Sequence, residues 1–480
     1  MSSGLPQSAA FLVCAAAFAP GLRADAVDDL VRSEMARQHI PGIALAIVRA
    51  GVEPRIAAYG ESNVEHRTPV RPETIFQSGS VGKQFTAAAV QLLAADGKLG
   101  LDDPLARWLA PTPAAWSGIT IRHFLTHTSG IPDYSDSPTT SALDLRRDYT
   151  EDELIEFARR LPLDFPPGSR WAYSNTGYVL LGAIIRRASG RFYGDILRDR
   201  VFAPLGMQTA RVISEADIVP NRAAGYRLDD AGRLKNQEWV SPALNTTADG
   251  ALYLSILDMV KWDAGLRSAS VLSREQLAEA WSPVRLAGGE TYPYGFGWFI
   301  SEQRGSRAIE HSGSWQGFEA HIARYDERGI TVIVLANLAG ADPARIVTEV
   351  AGLVDAELRL PDPSRPGKDP DPARTERALS ALIAWSEGAS TPAMTMGFAA
   401  ARDDSPRERY YRGLINARLL ERESFAYLDE VDVAGRAIER NGSAIARIVY
   451  YGAVGNKGTD RAAAYLDAAG AIAELTYDGH

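Results

Sequence analysis

The stretch from Leu360 to Ala373 is rich in proline, aspartate and glycine, and it constrains the fold more than any other part of the chain. Such a composition ends regular structure and reads as a linker. A chain of 480 residues is in any case too long for one ordinary core. The division is therefore into a large unit at 26–358, a linker at 359–374 and a small unit at 375–480. No internal repeat or low-complexity segment crosses these limits.

Patterning along the large unit alternates between helix and strand. Apolar residues at Val27, Leu30, Val31 and Met35 predict a helix ending near Gln38. Pro41-Gly42 then opens a strand at Ile43–Val48, with Arg55–Tyr59 as its hairpin partner. Thr150 and Glu153 form a capping box at the head of a helix reaching Leu161, and Tyr178–Ala188 reads as a buried helix closed by Gly190. Strand-like runs follow at Tyr294–Ile300, Ile309–Glu310, Glu319–Tyr325 and Ile330–Ala336, before a helix at Pro343–Leu358. Helices at both ends of consecutive hairpin strands predict a mixed α/β core built on an antiparallel sheet. The small unit reads as α+β: helices at Thr375–Glu387 and Pro406–Glu423, then strands at Ala444–Tyr451, Ala462–Leu466 and Ile472–Tyr477.

Composition narrows the function. A formal net charge of −9 with no basic tract argues against nucleic acid. A single cysteine excludes an internal disulfide framework and a multi-cysteine metal site. The apolar run Ala9–Ala19, followed by Pro20 and small residues near Ala24 and Ala26, suits a signal peptide over 1–25, although no basic residue precedes it. Cys14 lies inside that run and belongs to the discarded segment. A periplasmic or secreted protein with no integral membrane segment is expected.

Chemistry enters at Phe76-Gln77-Ser78-Gly79-Ser80-Val81-Gly82-Lys83. Helical spacing begins directly after Ser80 (Val81, Phe85, Ala88, Ala89, Leu92), which puts Ser80 at or near a helix N-terminus. Lys83 lies three residues on, one turn away on the same face. A hydroxyl becomes a useful nucleophile when a neighbouring amine removes its proton. Bringing a lysine from about 10.4 to about 7–8 means suppressing its charged form by about 4 kcal/mol, toward which burial, the positive helix end and another cation all push. Ser-x-x-Lys alone is a weak signal, equally read as a capping serine with a surface lysine.

Two further elements follow in order: Tyr173-Ser174-Asn175 and His311-Ser312-Gly313. The ordered set, with Leu125–Gly130, Tyr294–Trp298 and Val334–Asn337 around it, resembles the serine β-lactamase and penicillin-binding protein superfamily. The likeness is to its class C β-lactamase, DD-peptidase and family VIII carboxylesterase branch, which also holds D-amino-acid-specific peptidases. It covers roughly residues 26–358. The resemblance implies a β-lactamase/transpeptidase-like fold, an antiparallel sheet flanked by helices plus a helical subdomain. It also implies a serine hydrolase forming an acyl-enzyme on Ser80, with Lys83 and Tyr173 sharing the base role. Asn175 would orient Lys83 and the substrate amide. His311 would sit near Tyr173 and the substrate's carboxylate or leaving group, and Gly313 would admit the substrate backbone. The oxyanion hole would be the N–H groups of Ser80 and Ser314. No cofactor or metal is called for, and the partner is a small-molecule or short-peptide substrate with an ester, amide or β-lactam bond.

Each residue also has a plainer reading. Tyr173 alone is an ordinary buried tyrosine, Asn175 a helix cap and His311 a structural histidine. His123 and His127 stand four apart without a third metal ligand, and His127 is expected to hydrogen-bond within its own loop. Trp315 and Tyr292-Pro293-Tyr294 line the pocket or fill the core. Two departures from the branch matter. Where class C β-lactamases mostly carry lysine this chain has His311, which favours esterase or D-peptidase activity over efficient β-lactam hydrolysis. Asp249-Gly250 replaces a frequent pair of glycines, and at the cleft Asp249 would disfavour anions. The competing function is a catalytically idle relative that binds a ligand or senses one.

Overall fold

The computed structural model describes residues 24–135, 143–212, 216–400, 406–455 and 458–478. The expected signal peptide, with Cys14, lies outside the described residues. Helix α1 (Ala24–Gln38) leads into the hairpin β1 (Gly42–Arg49) and β2 (Val52–Asn63), with the short β3 (Thr68–Pro69) at its edge. Four later strands, β4 (Phe299–Gln303), β5 (Ser306–Trp315), β6 (Phe318–Tyr325) and β7 (Ile330–Ala336), complete an antiparallel sheet. Its order is β4-β5-β6-β7-β1-β2-β3, so β1 pairs with the last strand of the large unit.

The period-2 alternation of side chains divides this sheet between two cores. From β1, Ile43, Leu45 and Ile47 face Val27 and Val31 of α1 and Val347 and Val350 of the helix Pro343–Val354. Ala44 and Ala46 face the opposite way, into a larger core holding Val81, Phe85, Tyr178 and Trp262. A strand covered on both faces reads as a continuous apolar run, which is why Ile43–Val48 was legible.

Helix boundaries follow local chemistry. Thr150 caps Glu151–Arg160 through the expected box with Glu153, and Gly190 closes the helix Asn175–Ser189 at φ 73°. The run Tyr294–Ile300 is strand only from Phe299 onward. Gly297 adopts φ 76° and lies against the Lys83 main chain, where an added Cβ would stand 2.9 Å from the Lys83 carbonyl carbon.

The small unit is a separate sheet domain. Strands β8 (Arg422–Asp432), β9 (Arg447–Gly455), β10 (Gly458–Leu466) and β11 (Ile472–Asp478) form an antiparallel sheet in that order. Helices Pro372–Ser386 and Pro406–Leu420 pack on one face through Ala381, Leu382 and Leu419. The sequence reading missed β8, because it carried the preceding helix to Glu423; the chain leaves the helix at Leu420 and alternates from Arg422. The first helix also starts inside the expected linker, at Pro372, where Asp371 accepts from the Arg374 N–H. The opposite face of this sheet meets the large unit. The Arg304 N–H donates to the Tyr450 hydroxyl at 3.2 Å, Arg461 pairs with Glu349 at 3.1 Å, and Arg440 lies between Glu302 and Glu474.

Candidate active site

Ser80 stands on a tight turn wedged between two strands. Ile75–Gln77 pairs with Tyr253–Ser255, and the chain then makes a 3-10 turn at Gly79–Gly82 before the α-helix Lys83–Ala95. Gly79 adopts φ 50°, a conformation that favours glycine, and its Cα faces the Ser314 main chain so closely that a Cβ would lie 2.6 Å from that nitrogen. β5 presses on the same turn. A Cβ on Gly313 would stand 2.1 Å from the Ser78 oxygen and 2.9 Å from the Ser80 nitrogen. Gly313 therefore serves the close contact between β5 and the nucleophile turn. The same contact brings the Ser80 and Ser314 main chains to one cleft.

Lys83 is fully buried at the start of its helix. Its Nζ lies 3.0 Å from Ser80 Oγ and donates to Asn175 Oδ1 at 2.7 Å and to the Asp249 carbonyl at 2.5 Å. The Tyr173 and Tyr178 rings flank it, with centroids 4.8 and 5.4 Å from Nζ. Asn175 is not the helix cap. Ser174 takes that part, accepting from the Gly177 N–H, and leaves the Asn175 amide free to turn toward the lysine. The Asn175 N–H donates in turn to Asp133 Oδ2 at 2.6 Å.

The Tyr173 hydroxyl is buried beside Ser80, yet makes no hydrogen bond of ordinary geometry. Burial holds its phenol well above the usual tyrosine range, while the Ser80 side chain pulls in the other direction. At rest Tyr173 is therefore a neutral phenol.

His311 is buried, with its ring 6.1 Å from that of Tyr173, but both its nitrogens are engaged within the protein. Nor is it among the residues that line the cleft beside Ser80. A polar chain runs through it instead. The Ser174 N–H donates to His127 Nδ1 at 3.1 Å, so His127 carries its proton on Nε2, 3.2 Å from the Tyr294 hydroxyl. At the other end the Ser312 carbonyl, 2.5 Å away, requires a proton on His311 Nδ1. Tyr294 then accepts from His127 and donates to His311 Nε2 at 3.0 Å. Both imidazoles are neutral in this chain. Burial, then the Lys83 charge, pushes His311 down to about 3 and His127 well below its ordinary range. His127 so ties the Tyr173 loop to β5, rather than bonding within its own loop. Tyr294 belongs to this buried chain, whereas Trp315 does line the cleft, its indole N–H donating to Asn245. His123 caps the helix Ile121–Leu125.

A small cleft opens beside Ser80. Tyr134 and Asp249 line it as well, the Tyr134 hydroxyl donating to Asp249 Oδ2 at 2.8 Å. Tyr134 was not singled out from the sequence, where it follows the Leu125–Gly130 run without a pattern of its own. Asp249 was marked as a departure from paired glycines that would disfavour anions at the cleft, and it does line the cleft; that its carbonyl would grip Lys83 left no trace in residue type.

The cleft thus brings together a buried lysine, a serine at a helix head, a tyrosine and an asparagine. The family profile described as Beta-lactamase matches residues 27–356, and the chain belongs to that family. Penicillin-binding protein 4* of Bacillus subtilis is 34% identical over 295 residues, 58% of this chain; the chain spans just under two thirds of that relative's length, 64%. A D-aminopeptidase of Gluconobacter oxydans is 26% identical over 388 residues, covering 76% of this chain and 70% of its own. Among solved structures, the octameric penicillin-binding protein homologue from Pyrococcus abyssi aligns over 95% of both chains, with a TM-score of 0.62 and 26% identity. That alignment takes in the small sheet domain as well as the large unit. Among the described residues, no helix is long and apolar enough to cross a membrane.

Proposed function

We propose that this chain cleaves an ester or amide bond, including those of D-amino-acid peptides, through an acyl-enzyme on Ser80. The observation that carries the reading is the set of contacts around Lys83 Nζ. Asn175 Oδ1 and the Asp249 carbonyl can only accept, so they fix two N–H bonds of the amine. In the neutral form the lone pair is left for the Ser80 proton, 3.0 Å away. Lys83 takes that proton as Ser80 Oγ attacks the carbonyl. Tyr173, a neutral phenol beside both groups, hands a proton to the leaving amine or alcohol and is reprotonated from Lys83. Water then releases the acyl group by the same steps in reverse. The Ser80 and Ser314 N–H groups hold the oxyanion.

The relatives named D-aminopeptidase and penicillin-binding protein support amide substrates. His311, neutral and enclosed, offers no cation to a β-lactam carboxylate, which supports ester or peptide cleavage over efficient β-lactamase activity. The test is labelling with a fluorophosphonate probe beside hydrolysis of a nitrophenyl ester. Both are expected in the wild type and absent in Ser80→Ala. No adduct under any condition, or hydrolysis surviving in Ser80→Ala, would refute the acyl-enzyme and leave a ligand-binding relative.

A further inference from the structure

We propose that Glu319 is a positioning residue for the oxyanion donor. By accepting from the Ser314 hydroxyl it fixes the main chain whose N–H steadies the charge on the attacked carbonyl. The inference rests on the reading of Ser80 as nucleophile and adds a residue to its site. β4 accompanies β5 only as far as Glu310, the partner of Phe299. Among the described residues, β5 from His311 to Trp315 is paired on one side alone, by β6, and its other edge meets the nucleophile turn. Ser314 shows this directly, for its nitrogen is the atom that a Cβ on Gly79 would meet at 2.6 Å. An N–H aimed at the cleft is not aimed at β6. Ser314 stands opposite Glu319, yet its main chain gives no donor to the ladder, as at every second residue of an antiparallel pair. The side chains of such a pair lie close, and here they bond: Ser314 Oγ donates to Glu319 Oε1 at 2.7 Å.

Ser312 repeats the arrangement two residues earlier. Its carbonyl accepts from His311 Nδ1, while its hydroxyl reaches across to His321 Nδ1 at 2.8 Å, with Glu310 Oε2 3.3 Å from the other ring nitrogen. Where β5 turns its main chain to the site, its side chain is thus tied to β6. Glu319 is anchored in its turn. The Gly340 N–H donates to the same Oε1 at 3.0 Å, and Glu319 pairs with Ala336 of β7. One oxygen therefore joins the tip of β5 to the loop that follows β7. The tip needs such a tie, because Gln316, between Trp315 and Phe318, is held at φ 29°, a conformation that persists only where its surroundings enforce it. Burial pushes the Glu319 carboxyl up to about 7; the Ser314 and Gly340 donors oppose it and the Asp342 charge adds to it. At pH 6 the group is mostly uncharged, with Oε1 as a carbonyl acceptor for both donors. A glutamine then matches it in charge, shape and acceptor. Losing an oxyanion donor outright costs about 100- to 1000-fold in kcat, so loosening one costs about 10- to 100-fold.

The test is hydrolysis of a nitrophenyl ester at pH 6, with kcat and KM measured separately. Glu319→Ala is expected to lower kcat about 10- to 100-fold with KM within about twofold of wild type, because the oxyanion exists only after attack. Glu319→Gln, which keeps the acceptor, is expected to stay within about threefold of wild-type kcat. Ser314→Ala removes the other half of the bond from an exposed side chain and should match Glu319→Ala, with the double variant no worse than either. Wild-type kcat in Glu319→Ala, a loss in Glu319→Gln as deep as in Glu319→Ala, or losses that multiply in the double variant overturn the proposal. If Glu319→Ala does not fold, Ser314→Ala decides alone, and wild-type kcat there overturns it. Fluorophosphonate labelling reports separately on the nucleophile. An adduct on Ser80 beside wild-type kcat in Glu319→Ala removes the positioning role and leaves the acyl-enzyme; hydrolysis surviving in Ser80→Ala removes the site itself.

Discussion

Replacing Gly313 by alanine probes how the sheet holds the nucleophile. The new methyl would start 2.1 Å from the Ser78 oxygen, 2.8 Å from the Val81 nitrogen and 2.9 Å from the Ser80 nitrogen. Ordinary contact begins near 3.4 Å, so β5 and the Ser80 turn must separate by about 1.3 Å (3.4 less 2.1). Every obstacle is main chain, and no side-chain rotation relieves it. Overpacking of this kind costs about 1–3 kcal/mol. A shift of about 1 Å at a reacting centre costs about 100-fold in rate. Gly313→Ala is therefore expected to lower kcat/KM for a nitrophenyl ester about 100-fold, with a drop of a few degrees in Tm. Gly51→Ala is the matched control. Its φ of 73° strains an alanine, but nothing lies within 4 Å of the new carbon, so it should cost stability without a comparable loss of rate. Wild-type kcat/KM in Gly313→Ala, or an equal loss in Gly51→Ala, would refute the wedge.

Two further expectations follow from buried groups. Tyr173→Phe removes a hydroxyl without a hydrogen-bond partner, so Tm should hold or rise while kcat falls about 100- to 10,000-fold; activity above a tenth of wild type contradicts the proton-transfer role. Between the two units, Arg440 cannot neutralise both Glu302 and Glu474, and burial pushes Glu302 up to about 7. A carboxyl raised on folding adds stability below its unfolded pKa and loses it as pH rises through about 7, here of the order of 1–3 kcal/mol. Glu319, also pushed up to about 7, has the same sign, so the measurement is the difference between wild type and Glu302→Gln in thermal melts from pH 5 to pH 8. A shallower fall is expected in the variant, and parallel curves sink the argument.

What could be read from residue order was whatever a single segment decides for itself. The doubly buried β1, the capping box at Thr150 and the serine at a helix head each depend on neighbours a few positions apart. The convergence of Ser80, Lys83, Tyr173 and Asn175 was legible only as an ordered set of motifs, since no one spacing predicts that Asn175 meets Lys83. Three features depended on distant contacts and escaped. Gly313 is small because of the Ser78 carbonyl, His311 is neutral because burial and the Lys83 charge disfavour its protonation, and Tyr134 bears on the cleft through the side chain of residue 249. The start of β8 was lost for a local reason, the absence of a glycine or proline between Leu420 and Arg422 to mark where the helix stops.

The lysine is gripped by the main chain of residue 249, while that residue's side chain looks into the cleft. Peptide oxygens are common to every amino acid, so a side-chain change at 249 alters the cleft wall while the lysine's anchor there is still a peptide oxygen.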